Sequence, residues 1–234
     1  MKAVIHLHTF FSFDSMTAPK AIVDKAIEHK IDVLCITDHD TVEGSIKAFE
    51  YAKTQYNEAI KIVIGAEFST DWGDIIGINI KENIDSKDAK YVVENIKKQG
   101  GLVLLPHPFD SHKNIEYLAQ EADMIEVFNA RSKPENNQKA LELATKFDKP
   151  TYVASDAHFL SDTMLCINNL PANSNFYEAL LSPNKSFQTA YSSPKNYLKS
   201  QLVKGFKMKK IRLILRILGS IMAFYFRKIS KNKK

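Results

Sequence analysis

Seven histidines punctuate the 234-residue chain, and five of them stand where a short apolar run ends. His6 and His8 close the first run, with Asp14 a few residues on. His39 lies within Thr37-Asp38-His39-Asp40, Glu67 follows Gly65-Ala66, and His107 sits between Pro106 and Pro108. Asp156 and His158, in Ser155-Asp156-Ala157-His158, repeat the spacing of His6 and His8. On an extended strand, residues i and i+2 share a face, so each pair is expected to present two side chains together. Neutral imidazole is the commonest metal ligand. One His-x-His alone fits hydrogen-bonded core histidines equally well, whereas five scattered structural histidines would not collect at strand ends. The donors are nitrogen and oxygen without thiolate, which suits Zn, Mn or Fe, and they are too many for one ion.

The elements that must position these groups can be read from periodicity. Apolar runs predict strands at 2–8, 32–37, 62–68, 74–80, 102–105, 124–128 and 151–154. Helical patterns fall at 18–29, 43–56, 86–99, 113–119 and 134–147. Such alternation predicts an α/β fold with a largely parallel sheet. Seven strands suit a barrel, with an open sheet as the alternative, and α/β barrels gather functional groups at the C-terminal strand ends. Thr41-x-x-Gly44 and Ser132-x-x-Glu135 lie near helix starts, the second as a capping box; Gly100-Gly101 reads as a helix stop. Beyond His158, Pro171, Pro183 and Pro194 mark a loop-rich stretch with one short helix at 175–181.

Hydrophobic residues make up 44% of the chain and charged residues 25%, enough for a large domain with an appendage. Cys35 and Cys166 form no metal or redox spacing, and no apolar leader opens the chain, so a cytoplasmic protein is expected. The net charge of +5 is unevenly spread: residues 204–234 hold eleven of the 32 Lys and Arg and none of the 27 Asp and Glu. The rest therefore carries 21 basic and 27 acidic residues, a net −6, which argues against binding long duplex nucleic acid. The expected division is a domain over 1–196 and a basic, apolar tail over 197–234. Residues 213–226 are apolar apart from Arg216, Gly219 and Ser220, shorter than the roughly 20 residues of a bilayer span. Basic flanks predict a C-terminal amphipathic helix that uses 204–229 on an anionic membrane surface, peripheral on the inner face. A spanning anchor and a partner-protein helix are the alternatives.

HLHTFFSFDS, CITDHDTVEG, GAEFS, LLPHPFD and VASDAH, in that order, resemble the successive motifs of the PHP (polymerase and histidinol phosphatase) family over roughly residues 1–160. The resemblance implies a distorted seven-stranded β/α barrel with two or three divalent ions and phosphoester hydrolysis by metal-bound water. It implies that His6 and His8 bind one ion, that Glu67 bridges to a second with His107, that Asp14, His39 and His158 bind a third, and that Asp156 is a first-site or bridging ligand. Asp14 matches the small-phosphoesterase branch, which acts on nucleotides and short oligonucleotides. Where many members carry His in an HLLG-like motif, this chain has Asp74-Ile75-Ile76-Gly77; Asp74 is either an oxygen ligand or a solvated strand-end residue. Phe159-Leu160-Ser161-Asp162 replaces an EIG-like continuation, which bears on the pocket's shape.

Asp38 or Asp40 is a candidate to orient an imidazole, or is a turn acid. Arg131 is a candidate phosphate clamp. Asn129 either faces the pocket, the preferred reading, or caps the next helix. His29, His112 and Trp72 read as a helix-end residue, a loop residue and a core residue. The expected function is metal-dependent hydrolysis of phosphomonoesters or small phosphodiesters of nucleotide type. The alternatives are a phosphatase for histidinol phosphate, a lipid headgroup or phosphotyrosine, and a non-catalytic metal-binding module.

Overall fold

A computed structural model describes residues 1–57, 59–172, 175–217 and 219. One sheet runs in the order β7-β6-β5-β4-β3-β2-β1-β8-β9. Its strands are β1 (Lys2–Ile5), β2 (Val33–Ile36), β3 (Lys61–Thr70), β4 (Gly73–Ile78), β5 (Leu102–Leu105), β6 (Met124–Asn129), β7 (Thr151–Ala154), β8 (Ile167–Asn169) and β9 (Ser186–Gln188). The helices are α1 (Pro19–Glu28), α2 (Glu43–Tyr56), α3 (Ala89–Lys98), α4 (Ile115–Glu121), α5 (Pro134–Lys146), α6 (Phe176–Leu181) and α7 (Pro194–Lys207).

The strands β1, β2, β5 and β7 are short apolar runs, as expected of strands covered on both faces. Alternate residues, among them Ala3, Ile5, Val33, Cys35, Val63, Ile76, Leu104, Met124 and Tyr152, form one cluster that fills the barrel interior. Phe176, Ala179 and Leu180 of α6 pack into it. The other faces of the strands pack on the helices. In α3 the buried residues Ala89, Val92, Val93 and Ile96 form one stripe, and Asp88 caps its start by accepting from Tyr91 N.

The sheet is mixed rather than largely parallel. β1/β2/β3 and β5/β6/β7 are parallel, but β4 runs antiparallel to both β3 and β5. Only Asp71 and Trp72 separate β3 from β4, and a parallel crossover needs a dozen or more residues. Among the described residues nine strands are present where seven were expected, because β8 and β9, three residues each, are too short to show a period. The capping box at Ser132 is not formed: α5 starts from Lys133 with Pro134 in its first turn, and the Ser132 hydroxyl bonds Asp110 instead.

The barrel is nearly closed between β1 and β7. Leu7 and Ala157 make a single bridge, with His8 N donating to Ala157 O at 2.9 Å. Lower down, buried Asn168 of β8 stands in for a strand. Its Oδ1 accepts from Val153 N at 3.0 Å, and its Nδ2 donates to Val153 O at 2.9 Å and Ala3 O at 3.4 Å. The expected division after residue 196 falls inside α7. Residues 211–217 are helical, but most of the apolar tail lies outside the described residues. Among the described residues no helix is long and apolar enough to cross a membrane.

Candidate metal centre

His6 and His8 do not lie on a strand. β1 ends at Ile5 and His6 takes a left-handed backbone (φ 65°). Asp156 does the same beyond β7 (φ 46°). The two tripeptides His6-Leu7-His8 and Asp156-Ala157-His158 are therefore matched: a left-handed residue, a bridging residue paired with its counterpart, then a histidine. Non-glycine residues pay for this conformation and keep it where the surroundings over-determine it, typically at functional sites. The imidazoles of His6 and His8 end 5.3 Å apart, edge to face.

Glu67, on the face of β3 that also carries Val63, sits at the middle. Its Oε1 lies 3.4 Å from His6 Nε2 and 3.1 Å from His107 Nε2; its Oε2 lies 3.4 Å from His8 Nε2 and 3.2 Å from His39 Nδ1. Burial would push this carboxyl up, but the imidazoles of His6, His39 and His107 hold it well below the usual carboxylate range. In return, against the pull of burial, Glu67 raises His107 to about 10 and, with Asp14, His39 to about 9. Burial, with His158 and His39 alongside, drives His8 down to about 3.

Asp14, in the loop after β1, faces His158 Nε2 at 3.0 Å and His39 Nε2 at 3.4 Å. Asp156 Oδ1 is 3.2 Å from His8 Nε2 and 3.7 Å from His6 Nε2. All nine expected ligands fall into four overlapping groups whose donor atoms lie within 4.8 Å of one another: His8, Asp14, His39 and His158; His6, His8 and Glu67; His6, His107 and Asp156; Glu67, Asp74 and His107. Asp74 therefore joins the cluster.

The donor set fits metal ions. His6 Nε2, His8 Nε2, His39 Nδ1 and Asp14 Oδ1 are buried without a hydrogen-bond partner, and buried polar atoms rarely stay so. Their tautomers are set from behind. His6 Nδ1 donates to Glu126 Oε1 at 2.9 Å, and His158 Nδ1 donates to the Asp156 carbonyl at 2.8 Å. The Ser12 hydroxyl gives its one proton to Asp38 Oδ1 at 2.6 Å, so it accepts from His8 Nδ1 at 3.1 Å. In each case Nε2 keeps its lone pair for the cluster.

Asp38 thus reaches an imidazole through Ser12 rather than directly, and it also accepts from Thr9 N and Thr9 Oγ1, both at 2.6 Å. Its close fit requires Gly44, where a Cβ would come within 1.8 Å of Asp38 Oδ2. Asp40 is a turn acid: it accepts from Ser69 N and pairs with Lys87. Asn129 neither lines the cavity nor caps a helix. It is buried behind the site, donating to Glu126 Oε2 at 3.0 Å. His112 is not an idle loop residue; its Nε2 donates to the Asp74 carbonyl at 2.8 Å. His29 ends α1 as expected, and Trp72 is partly buried against the outer core.

Glu126 was missed by sequence reasoning. It is buried within an apolar strand, accepts from His6 Nδ1, and accepts His107 N at 2.7 Å through its other oxygen. A charged residue inside an otherwise apolar strand was the available signal, since such residues are buried only when paired.

The cluster opens into a cavity of about 880 Å³. Arg131, Lys133, Tyr191, Tyr197 and Lys204 form its other walls. Arg131 reaches Asp156 Oδ1 at 3.4 Å, contacts the His158 ring, and donates through Nη2 to Ser200 Oγ of α7 at 3.0 Å. Basic side chains and the histidine and carboxylate cluster thus line one space.

The PHP domain family matches residues 5–147, and the PHP-associated family residues 134–181. The chain belongs to the PHP domain family. An uncharacterized protein of Methanocaldococcus jannaschii is 34% identical over 144 residues, spanning 56% of this chain and 82% of that protein. The 5'-3' exoribonuclease Rnm of Escherichia coli is 36% identical over 80 residues, 32% of this chain and 27% of that enzyme. In structure the chain is similar to a two-domain protein of Bacteroides vulgatus containing a predicted PHP-like metal-dependent phosphoesterase, with a TM-score of 0.70 and 20% identity over 81% of this chain and 65% of that one.

Proposed function

We propose that this chain hydrolyses a phosphomonoester or small phosphodiester of nucleotide or short-oligonucleotide type, using two or three divalent ions of Mn, Zn or Fe. His6, His8, Asp14, His39, Glu67, Asp74, His107, Asp156 and His158 hold the ions, with Glu67 shared between them. The observation that carries this reading is a set of buried, unpartnered imidazole and carboxylate atoms, two of whose residues, Asp14 and His39, line a cavity that basic and aromatic side chains also line. Bound divalent ions would offset the charge of the phosphoester and lower the pKa of a coordinated water towards about 7.

The chain's own side chains do the rest. Arg131 grips phosphate oxygens with its planar fork; Lys133 and Lys204 add positive charge. Tyr191 and Tyr197 offer ring faces on which a base can stack. Asp38, through Ser12, and Glu126 keep the imidazoles in the ligating tautomer. Sequence shared with an exoribonuclease over 80 residues supports a nucleotide substrate.

The test is turnover by the full chain, loaded with Mn or Zn, on 5'-phosphorylated dinucleotide, mononucleotide, histidinol phosphate and an aryl phosphate. The expected result is a preference for a nucleotide substrate of about tenfold or more in kcat/KM, lost in His8→Ala. Faster turnover of histidinol phosphate than of any nucleotide would overturn the substrate; bound metal without turnover would leave only a binding module.

The segment 204–229 gives this enzyme its place on an anionic membrane surface in our reading. In its described part Phe206, Ile211 and Leu215 are exposed beside Lys209, Lys210 and Arg212, apolar and basic groups of the kind that partition to a headgroup boundary. The full chain is expected to float with anionic vesicles at low salt and not with neutral ones.

A further inference from the structure

Helix α7 lies beyond both family-matched spans, which end at residues 147 and 181, yet it contacts residues next to the candidate ligands at three points. Ser200 accepts from Arg131. Lys204 Nζ stands 4.6 Å over the Phe13 ring, and that ring stacks on His39 at 4.3 Å and 7°. Lys207, in the last turn, sends its ammonium into the loop after β1, where Nζ donates to Phe10 O at 2.6 Å and to Ser12 O and Ser15 O, both at 2.8 Å.

Three carbonyls converge on one ammonium, and an ammonium has three protons to give. The carbonyls bracket Asp14, the one carboxylate of the His8, Asp14, His39 and His158 group. This stretch belongs to no strand or helix; a loop's backbone groups must find partners individually, and this ammonium is the common partner of three of them. The contact joins residues 192 or more positions apart, so its local sequence gives no reason for it.

We propose that Lys207 is a positioning residue for the metal centre: it holds the loop so that Asp14 faces His39 and His158, and α7 is thereby part of the site rather than of a separate tail. The inference rests on the proposed ligand set. Lys207 does not touch the ligand atoms; it acts through the backbone that carries Asp14.

The test compares the full wild-type chain with Lys207→Met, Lys207→Arg and, as a control on the first turn of the same helix, Lys195→Met. Each is stripped with chelator and titrated with Mn(II) by calorimetry, its ions are counted by elemental analysis, and its thermal midpoint is measured in chelator. Outer partners of ligands typically alter metal affinity by 10–100-fold. The expected result for Lys207→Met is that the weakest-bound ion is lost or weakened by about that factor. The other ions and the midpoint in chelator should stay near wild type, with partial recovery in Lys207→Arg and no change in Lys195→Met. Wild-type ion count and affinities in Lys207→Met would overturn the proposal, whether the wild type holds two ions or three. So would uniform loss of every ion together with the midpoint, which marks a purely structural contact. If Lys207→Met does not fold, Lys207→Gln, which retains an amide donor, carries the same comparison. A wild-type chain that binds no Mn(II) would sink the ligand set itself, an outcome distinct from either.

Discussion

His6, Glu67, His107 and Asp156 stand within a strand or no more than two residues past its end, whereas His8, Asp14, His39 and His158 lie three or more residues out on loops. The first group takes its direction from the sheet. Backbone pairing of β1, β3, β5 and β7 fixes where each side chain leaves the barrel, and one buried carboxylate, Glu126, completes the job by bonding His6 and His107. The loop group has no continuous ladder to lean on, only the single bridge of His39 to Glu67 and the bond from His8 N to Ala157 O. It is held by a web of hydroxyls and one ammonium: Ser12 links Asp38, His8 and His39 N, Ser15 and Thr17 reach the His158 carbonyl, and Lys207 ties the loop to α7. A strand end places a ligand with few partners; a loop needs many weak ones, each satisfying a backbone group that would otherwise be left without one.

Glu67 belongs to both halves, so its loss should be the most damaging. Glu67→Gln removes the negative charge offered to neighbouring cations and leaves one oxygen where two faced different imidazoles. Activity should fall by more than about 100-fold, beyond what outer partners cost, with ions lost from both halves by elemental analysis. Retention of full metal content would break the idea of a shared ligand. Asp14→Asn should come next, and it should divide the halves: the ion of the loop group is lost while those near His6 and His107 remain. Loss of all ions together would mean that the two groups behave as one.

Glu126→Gln probes the strand-end half from behind. The amide oxygen can still accept from one donor, but the charge that fixes His6 is gone. Metal affinity should drop by about 10–100-fold with the fold intact. Glu126→Ala goes further, leaving the His6 Nδ1–H and His107 N–H buried without acceptors, and should cost about 1–3 kcal/mol for each group stranded, read as denaturant unfolding in chelator. A Glu126→Ala chain as stable as wild type would show that the strand ends hold these residues unaided.

The same contrast governs how much was legible in the sequence. Ligands advertise themselves by residue type, and their positions at the ends of apolar runs revealed both the α/β alternation and the site. The backbone that presents them was less readable. His6 and Asp156 turn left-handed because Leu7 and Ala157 bridge across the barrel seam, and that pairing is between residues far apart in sequence. The antiparallel β4 was implicit in the short link after β3 but was masked by the regular alternation around it. Asn168, whose amide replaces a stretch of ladder between β1 and β7, looks like any loop asparagine beside Asn169. Glu126 carried a local signal, a charge within an apolar strand, whereas Lys207 sits in a run of basic residues that look alike until the fold brings one of them to the loop.

The smallest effect should come from Ser15→Ala. The Ser15 hydroxyl lies 3.0 Å from His8 O and 2.9 Å from His158 O, but it has one proton and can serve only one of them fully. His158 O already has a second donor in Thr17 Oγ1 at 3.1 Å, and Ser15 also accepts, weakly, from Thr17 N at 3.3 Å. Removing the hydroxyl therefore leaves the His158 carbonyl its other donor, Thr17 Oγ1. The cost should be about 1 kcal/mol in stability, with the metal affinities close to wild type. This is what a redundant web implies: no single hydroxyl carries the loop half as Glu126 carries the strand-end half. If Ser15→Ala weakened an ion as much as Glu126→Gln does, the loop would be held at one point rather than many, and Ser15 rather than Lys207 would be the place to look for it.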